Sequence, residues 1–131
     1  MKQGIDVSGY FQPESDFQEV WFDFLEKSKI KLRYLSPKKL REIRREAVRR
    51  EFREGRVEET VDEERFLERL TEEVILDWEG FLDDRGRPIP CTADNKRMLM
   101  ENWGEFSLFI QNVSVNLEEY RRAKREGERK N

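Results

Sequence analysis

The 131-residue chain contains no histidine. That removes the side chain whose ordinary pKa lies nearest neutrality and the commonest nitrogen ligand for zinc, so Ser-His-Asp triads, Cys-His pairs and histidine-based zinc sites are excluded. The single cysteine, Cys91, can form no disulfide within the chain, which fits a reducing compartment. It precedes an expected helix start that could lower its pKa, but with no histidine to activate it Cys91 is not read as a nucleophile. Long apolar runs are also missing. The longest fall far short of the ~20 residues that span a bilayer, and no apolar leader core follows Met1, so we expect no membrane contact. The seven glycines are scattered as turn and stop residues. None belongs to a phosphate-cradling G-x-x-x-x-G-K or G-x-G-x-x-G pattern, so no nucleotide cofactor is expected.

What is present is charge and aromatic area. Charged residues make up 42% of the chain and aromatic residues 11%, with nine Phe, three Trp and three Tyr. Disordered chains lack that aromatic surface, so the expectation is one small folded domain around a modest core. The net charge of −3 conceals two opposed segments. Over residues 38–56, nine Lys and Arg stand against four Glu; over 58–84, twelve Asp and Glu stand against two Arg. Complementary neighbours of this kind compensate within a fold or across a self-association surface.

Along the chain, residues 1–16 carry Gly4, Gly9 and Pro13 among polar residues and read as a flexible N-terminal segment. Residues 20–25 and 30–35 are rich in β-branched and aromatic side chains, and Ile30, Leu32 and Tyr34 alternate with Lys31 and Arg33. This predicts a β-hairpin turning at 26–29 that must lay its apolar face on a helix. Ser36-Pro37 starts a helix, with Ser36 as cap and Pro37 in the first turn. Leu40, Ile43, Ala47, Val48 and Phe52 extend one apolar stripe to about residue 54, where Gly55 stops it. Thr60 and Glu63 have capping-box spacing. Phe66, Leu67, Leu70, Val74 and Trp78 then predict a second helix over 61–78, ended by Gly80.

The Asp83-Asp84-Arg85-Gly86 sequence is a turn, and Pro88 and Pro90 keep Ile89 extended. Thr92 caps a third helix carrying Met98, Leu99 and Trp103, broken by Gly104. A last helix over 105–124 places Phe106, Phe109, Ile110, Val113, Leu117 and Tyr120 on one side, at the spacing of a short heptad seam. These six residues are the candidate partner-binding set. The fold class is α+β, mainly α: an N-terminal hairpin and about four helices, with a tight turn between helices two and three. The organisation expected is a flexible segment over 1–16, one domain over 17–125 and a frayed charged tail over 126–131.

No catalytic, cofactor or metal site emerges. The acids at 77, 79, 83 and 84 lack the alternating oxygen ligands and closing Glu of a calcium loop, and two arginines adjoin the last pair. We therefore expect a non-enzymatic protein.

One stretch carries a resemblance. Trp78-Glu79-Gly80, then Asp83, Gly86, Pro88-Ile89-Pro90, Thr92 and Asn95, is similar to the W-E-G, D-x-x-G-x-P-x-P, S/T-x-x-N pattern of the small tail assembly chaperones of long-tailed phages and prophages. Val20-Trp21-Phe22 and Leu32-Arg33-Tyr34-Leu35-Ser36, followed by a Lys/Arg/Glu-rich helix, resemble the N-terminal part of such proteins. The likeness covers roughly residues 20–103 in the correct order. Trp78, Gly80, Asp83, Gly86, Pro88, Pro90 and Thr92 are its structural signature. Cys91 departs from it, standing where an aromatic or small residue is more familiar, and the basic C-terminal tail has no counterpart. The resemblance implies a non-catalytic protein of the host cytoplasm that binds the tape measure protein, or another tail protein, and keeps it soluble. Homo-oligomers through the complementary acidic and basic helices are a further expectation. The alternative is a nucleic-acid-binding accessory protein using the basic helix over 38–56 and the basic tail. The excess of acids and the lack of a reading motif argue against nucleic acid.

Overall fold

The computed structural model describes residues 3–130; the extreme ends of the two expected flexible segments, 1–2 and 131, lie outside the described residues. The fold is mixed α/β, and the predicted N-terminal hairpin is present. Strands β1 (Val20–Asp23) and β2 (Lys29–Leu32) pair antiparallel, with Phe22 opposite Ile30 and Val20 opposite Leu32. Their turn needs one residue with positive φ, Glu26 at 48°.

Ahead of them, residues 3–16 form a 3-10 turn at Ser8–Tyr10 and one helical turn, α1 (Pro13–Asp16). The Tyr10 ring lies 4.5 Å from the Arg121 guanidinium, and its hydroxyl donates to Glu118 at 3.3 Å.

Helix α2 (Pro37–Glu46) starts as its sequence dictates: Ser36 Oγ accepts from the Lys39 N–H at 3.2 Å, and Pro37 occupies the first turn. It does not reach residue 54. The chain turns at Ala47 and enters a second hairpin, β3 (Val48–Arg53) and β4 (Arg56–Val61). Glu54 and Gly55 have φ of 50° and 78°, the double positive-φ signature of a two-residue hairpin turn. Gly55 is thus a turn residue and not a helix stop. Only Leu40, Ile43 and Ala47 of the predicted stripe pack in or against the core. Thr60 is a strand residue opposite Arg49, and the true cap is Asp62, which accepts from the Arg65 N–H at 3.3 Å.

Helix α3 (Glu63–Val74) passes directly into strand β5 (Ile75–Glu79), so the helix predicted over 61–78 is strand in its last four residues, 75–78. β5 pairs with β2 to give a three-stranded antiparallel sheet of order β1-β2-β5. Ile30 faces Trp78, but Leu32 faces Ile75, a one-residue register shift that marks a bulge. A regular strand would send positions three apart to opposite faces; the bulge lets both Ile75 and Trp78 point into the core.

After the 80–92 connection come α4 (Ala93–Asn102), α5 (Gly104–Val113) and α6 (Leu117–Lys130). The expected single last helix is therefore two. Ser114, fully buried, breaks it; its carbonyl accepts from the Leu35 N–H at 2.9 Å, and Asn116 Oδ1 accepts from the Glu119 N–H at 3.3 Å to start α6. The expected break at Gly104 is present, since α4 ends at Asn102 and Gly104 opens α5, and the segment read as a frayed tail is helical to Lys130.

The core lies between the three-stranded sheet and these helices. Phe24 packs against Phe81, Trp103, Phe106 and Phe109 with ring centroids 4.9–6.2 Å apart. A second cluster gathers Phe17, Phe22 and Tyr34 around Tyr120. Among the described residues no helix is long and apolar enough to cross a membrane.

Candidate functional site

The signature residues at 78–92 form a clamp that sets α4 beside α3. Trp78 Nε1 donates to the Ile89 carbonyl at 2.6 Å, and the Ile89 N–H returns to the Phe81 carbonyl at 2.8 Å. Leu82 bridges Pro88, which leaves Pro88 at the edge where its missing N–H does no harm. Asp83 Oδ1 accepts from the backbone N–H groups of Arg85 and Arg87, each at 2.9 Å, while Oδ2 takes the Arg87 Nε at 2.9 Å. The Arg87 N–H foremost, then that of Arg85, holds the Asp83 carboxyl below its ordinary value. Gly86 closes this turn with φ of 77°. Gly80 combines φ of 84° with a close backbone approach: a Cβ there would lie 2.6 Å from the Lys27 carbonyl oxygen. Thr92 Oγ1 accepts from the Asn95 N–H at 3.2 Å, and the Asn95 side chain donates to the Pro90 carbonyl at 2.8 Å. Each signature residue is a turn, cap or clamp group. Half-buried Cys91 sits in this clamp, and burial raises its thiol pKa, opposite to the shift expected from a helix start.

The clamp leaves an open groove of about 920 Å³ between α3 and α4. Leu67, Thr71, Ala93 and Met100 line its apolar part. Glu64, Glu68 and Glu72 line it from α3, and Asp94 and Glu101 from α4, against the two cations Lys96 and Arg97.

The six predicted partner-binding residues lie elsewhere. Phe106, Ile110 and Tyr120 are fully buried, and Phe109, Val113 and Leu117 pack against the core from partly buried positions. The structure gathers all six on the inner faces of α5 and α6. The most exposed large apolar residue of this half of the chain is instead Leu108, on the outer face of α5.

The predicted basic helix over 38–56 is likewise redistributed. Lys38, Lys39, Arg41, Arg44 and Arg45 are on α2, whereas Arg49, Arg50 and Arg53 are on β3 and Arg56 opens β4. The opposed charges do meet across segments: Arg69 reaches Glu46 at 2.7 Å, Lys39 reaches Glu73 at 3.5 Å and Arg50 reaches Glu59 at 3.2 Å.

The β3–β4 ribbon is the feature that sequence reasoning missed. No hydrophobic residue of either strand joins the core or packs against it. Phe52 and Val57 are direct cross-strand partners near its tip, 76% and 65% exposed. The available signal was Glu54-Gly55 followed by Val57, Thr60 and Val61, a turn pair before a β-branched run.

These features describe a small α+β domain whose accessible elements are an acidic groove and an apolar-tipped ribbon. Among the described residues no cluster of His, Cys, Asp and Glu could hold a metal ion. The chain matches the profile of the YdaY prophage protein family over residues 35–131 and belongs to that family. No curated protein and no solved structure matches it.

Proposed function

We propose that this prophage protein is a non-catalytic tail assembly chaperone that binds the tape measure protein in the host cytoplasm and keeps it soluble during tail morphogenesis. The observation that carries the reading is the β3–β4 ribbon. A two-stranded hairpin alone is marginal in water, so a ribbon whose apolar side chains stay out of the core of its own chain is suited to pack on another. Phe52 and Val57 face each other on it in water. Covering them contributes about 1.5–3 kcal/mol each, so the pair alone makes a weak contact that several repeated along a partner would strengthen. The choice of partner draws on the prophage family and on the likeness of residues 20–103 to tail assembly chaperones.

The test is co-expression with the tape measure protein of the same prophage. The wild-type chain is expected to raise its soluble fraction and to co-purify with it. Phe52→Ser/Val57→Ser, exposed on both strands, should lose most of that effect while its circular dichroism stays unchanged. No complex at micromolar concentration, with both proteins soluble, would refute the proposal.

A further inference from the structure

We infer that the α3–α4 groove is a second docking site, separate from the ribbon, which takes an amphipathic helix bearing Lys or Arg on both sides of an apolar stripe. The inference deepens the proposed function and rests on it only in taking the partner to be helical.

Glu64, Glu68 and Glu72 recur every fourth residue of α3 and so stand in one row along the groove. Like charges at this spacing destabilise a helix by a few tenths of a kcal/mol per pair, a cost relieved when cations come alongside. Glu72 is paired with Arg69 at 2.9 Å, but Glu64, Glu68 and Glu101 form no ion pair among the described residues. Asp94 is answered by Arg97 at 3.4 Å on its own helix. Five carboxylates against two cations leave the groove at −3. Such a field repels phosphate and attracts a cationic partner.

Between the charged rims lie Leu67, Ala93 and Met100. Met100 is 8% exposed and belongs to the core, so it closes the floor from below while half-buried Leu67 and exposed Ala93 meet an incoming aliphatic side chain. From Glu64 to Glu72 the row covers roughly 12 Å, a little over two helical turns. An incoming helix therefore fits with apolar residues at i, i+4 and i+7 on the floor and cations flanking them. The basic helix α6 of a second copy does not meet this description: its apolar residues Leu117 and Tyr120 are already committed to its own core.

The direct experiment uses a fluorescein-labelled peptide of about 18 residues, helical by design, with Leu at those positions and Lys flanking them; a second peptide carries Glu in place of Lys. Binding to the full chain is read by anisotropy. The Lys peptide is expected to bind and to weaken steeply as salt rises, and the Glu peptide not to bind. Glu64→Lys/Glu68→Lys should weaken binding by about tenfold or more. Glu64→Gln/Glu68→Gln, which spares the first turn of α3 a positive charge, should weaken it less but in the same direction. Phe52→Ser/Val57→Ser should bind the peptide like wild type, which separates this site from the ribbon.

Absence of binding of the Lys peptide at about 100 µM, equal binding by the two Glu64/Glu68 variants and wild type, or equal binding of the two peptides would each overturn the inference. So would self-association of the protein alone that either variant abolishes, because the occupant would then be a second copy. None of these results depends on the tape measure protein, so the docking site and the chaperone role can fail independently.

Discussion

Tyr120→Phe is expected to stabilise the protein by about 1–2 kcal/mol, an unusual sign for a substitution at a fully buried position. The Tyr120 ring is held between Phe22 at 4.8 Å, Tyr34 at 5.4 Å and Phe17 at 6.1 Å. Its hydroxyl is buried with no hydrogen-bond partner among the described residues. A hydroxyl taken from water without a partner costs about 1–3 kcal/mol, whereas the ring contacts survive in phenylalanine. Against that gain stands only the void left by one oxygen atom, so the balance favours Phe. Urea unfolding read by tryptophan fluorescence suits the measurement, because Trp78 is buried and Trp103 packs against the core. With a urea slope of about 2 kcal/mol/M, the midpoint should rise by about 0.5–1 M at unchanged slope.

The same hydroxyl supplies a pH arm. Burial foremost, with Tyr34 adding to it, raises the Tyr120 pKa far above its ordinary 10.0. Below pH 10 both folded and unfolded chains keep the proton, and the stability that goes with it is fully present. Above pH 10 the unfolded chain releases a proton that the folded chain retains, so stability falls with rising pH, by up to about 1.4 kcal/mol per unit. Wild type should therefore lose more stability than Tyr120→Phe between about pH 10 and 12. A variant less stable than wild type by about 1 kcal/mol or more at neutral pH would refute the reasoning and show that the hydroxyl is hydrogen-bonded in solution.

Three further outcomes follow from the clamp and the ribbon. Gly80→Ala should destabilise by about 2–3 kcal/mol, because φ of 84° and the 2.6 Å approach to the Lys27 carbonyl both penalise a Cβ; thermal melting measures it. Thr92→Ala should cost about 1 kcal/mol through loss of the cap on α4, with Thr92→Ser near wild type in the same melts. Phe52→Ser/Val57→Ser should change stability by no more than about 0.5 kcal/mol, since neither side chain packs on the core, so any larger fall would mean that the ribbon supports the fold.

Much of the local chemistry was legible in the sequence, although the Glu54-Gly55 turn and the Asp62 cap were not. Ser36 and Thr92 cap the helices that follow them, Asp83 and Gly86 make the turn between Leu82 and Pro88, and the 20–32 hairpin pairs as its alternation predicts. The misreadings of apolar residues share one cause, a pattern that satisfies the helical period by accident. Trp78 follows Leu70 and Val74 at four-residue steps, yet the β2–β5 bulge, not a helix, turns it inward. Phe52 continues the phase of Ile43 and Val48 closely enough to extend a helix, but it sits on a ribbon that ignores the core. In the last third, six apolar residues in heptad phase suggested a surface for a partner. The break at Ser114 folds α6 back so that the chain itself covers them.

By itself the sequence determined the caps at Ser36 and Thr92, the turn at 83–86, the single small core and the lack of histidine chemistry. Each depends on side-chain identity within a few residues, or on composition. Tertiary structure decided which apolar residues were left over. The six candidates on α5 and α6 are spent on the core because the three-stranded sheet gives them something to pack against. Phe52 and Val57 remain in water because the ribbon carries them away from the core. Whether an apolar side chain is core or contact surface depends on what lies opposite it in space, and that is set by packing between elements far apart in the chain.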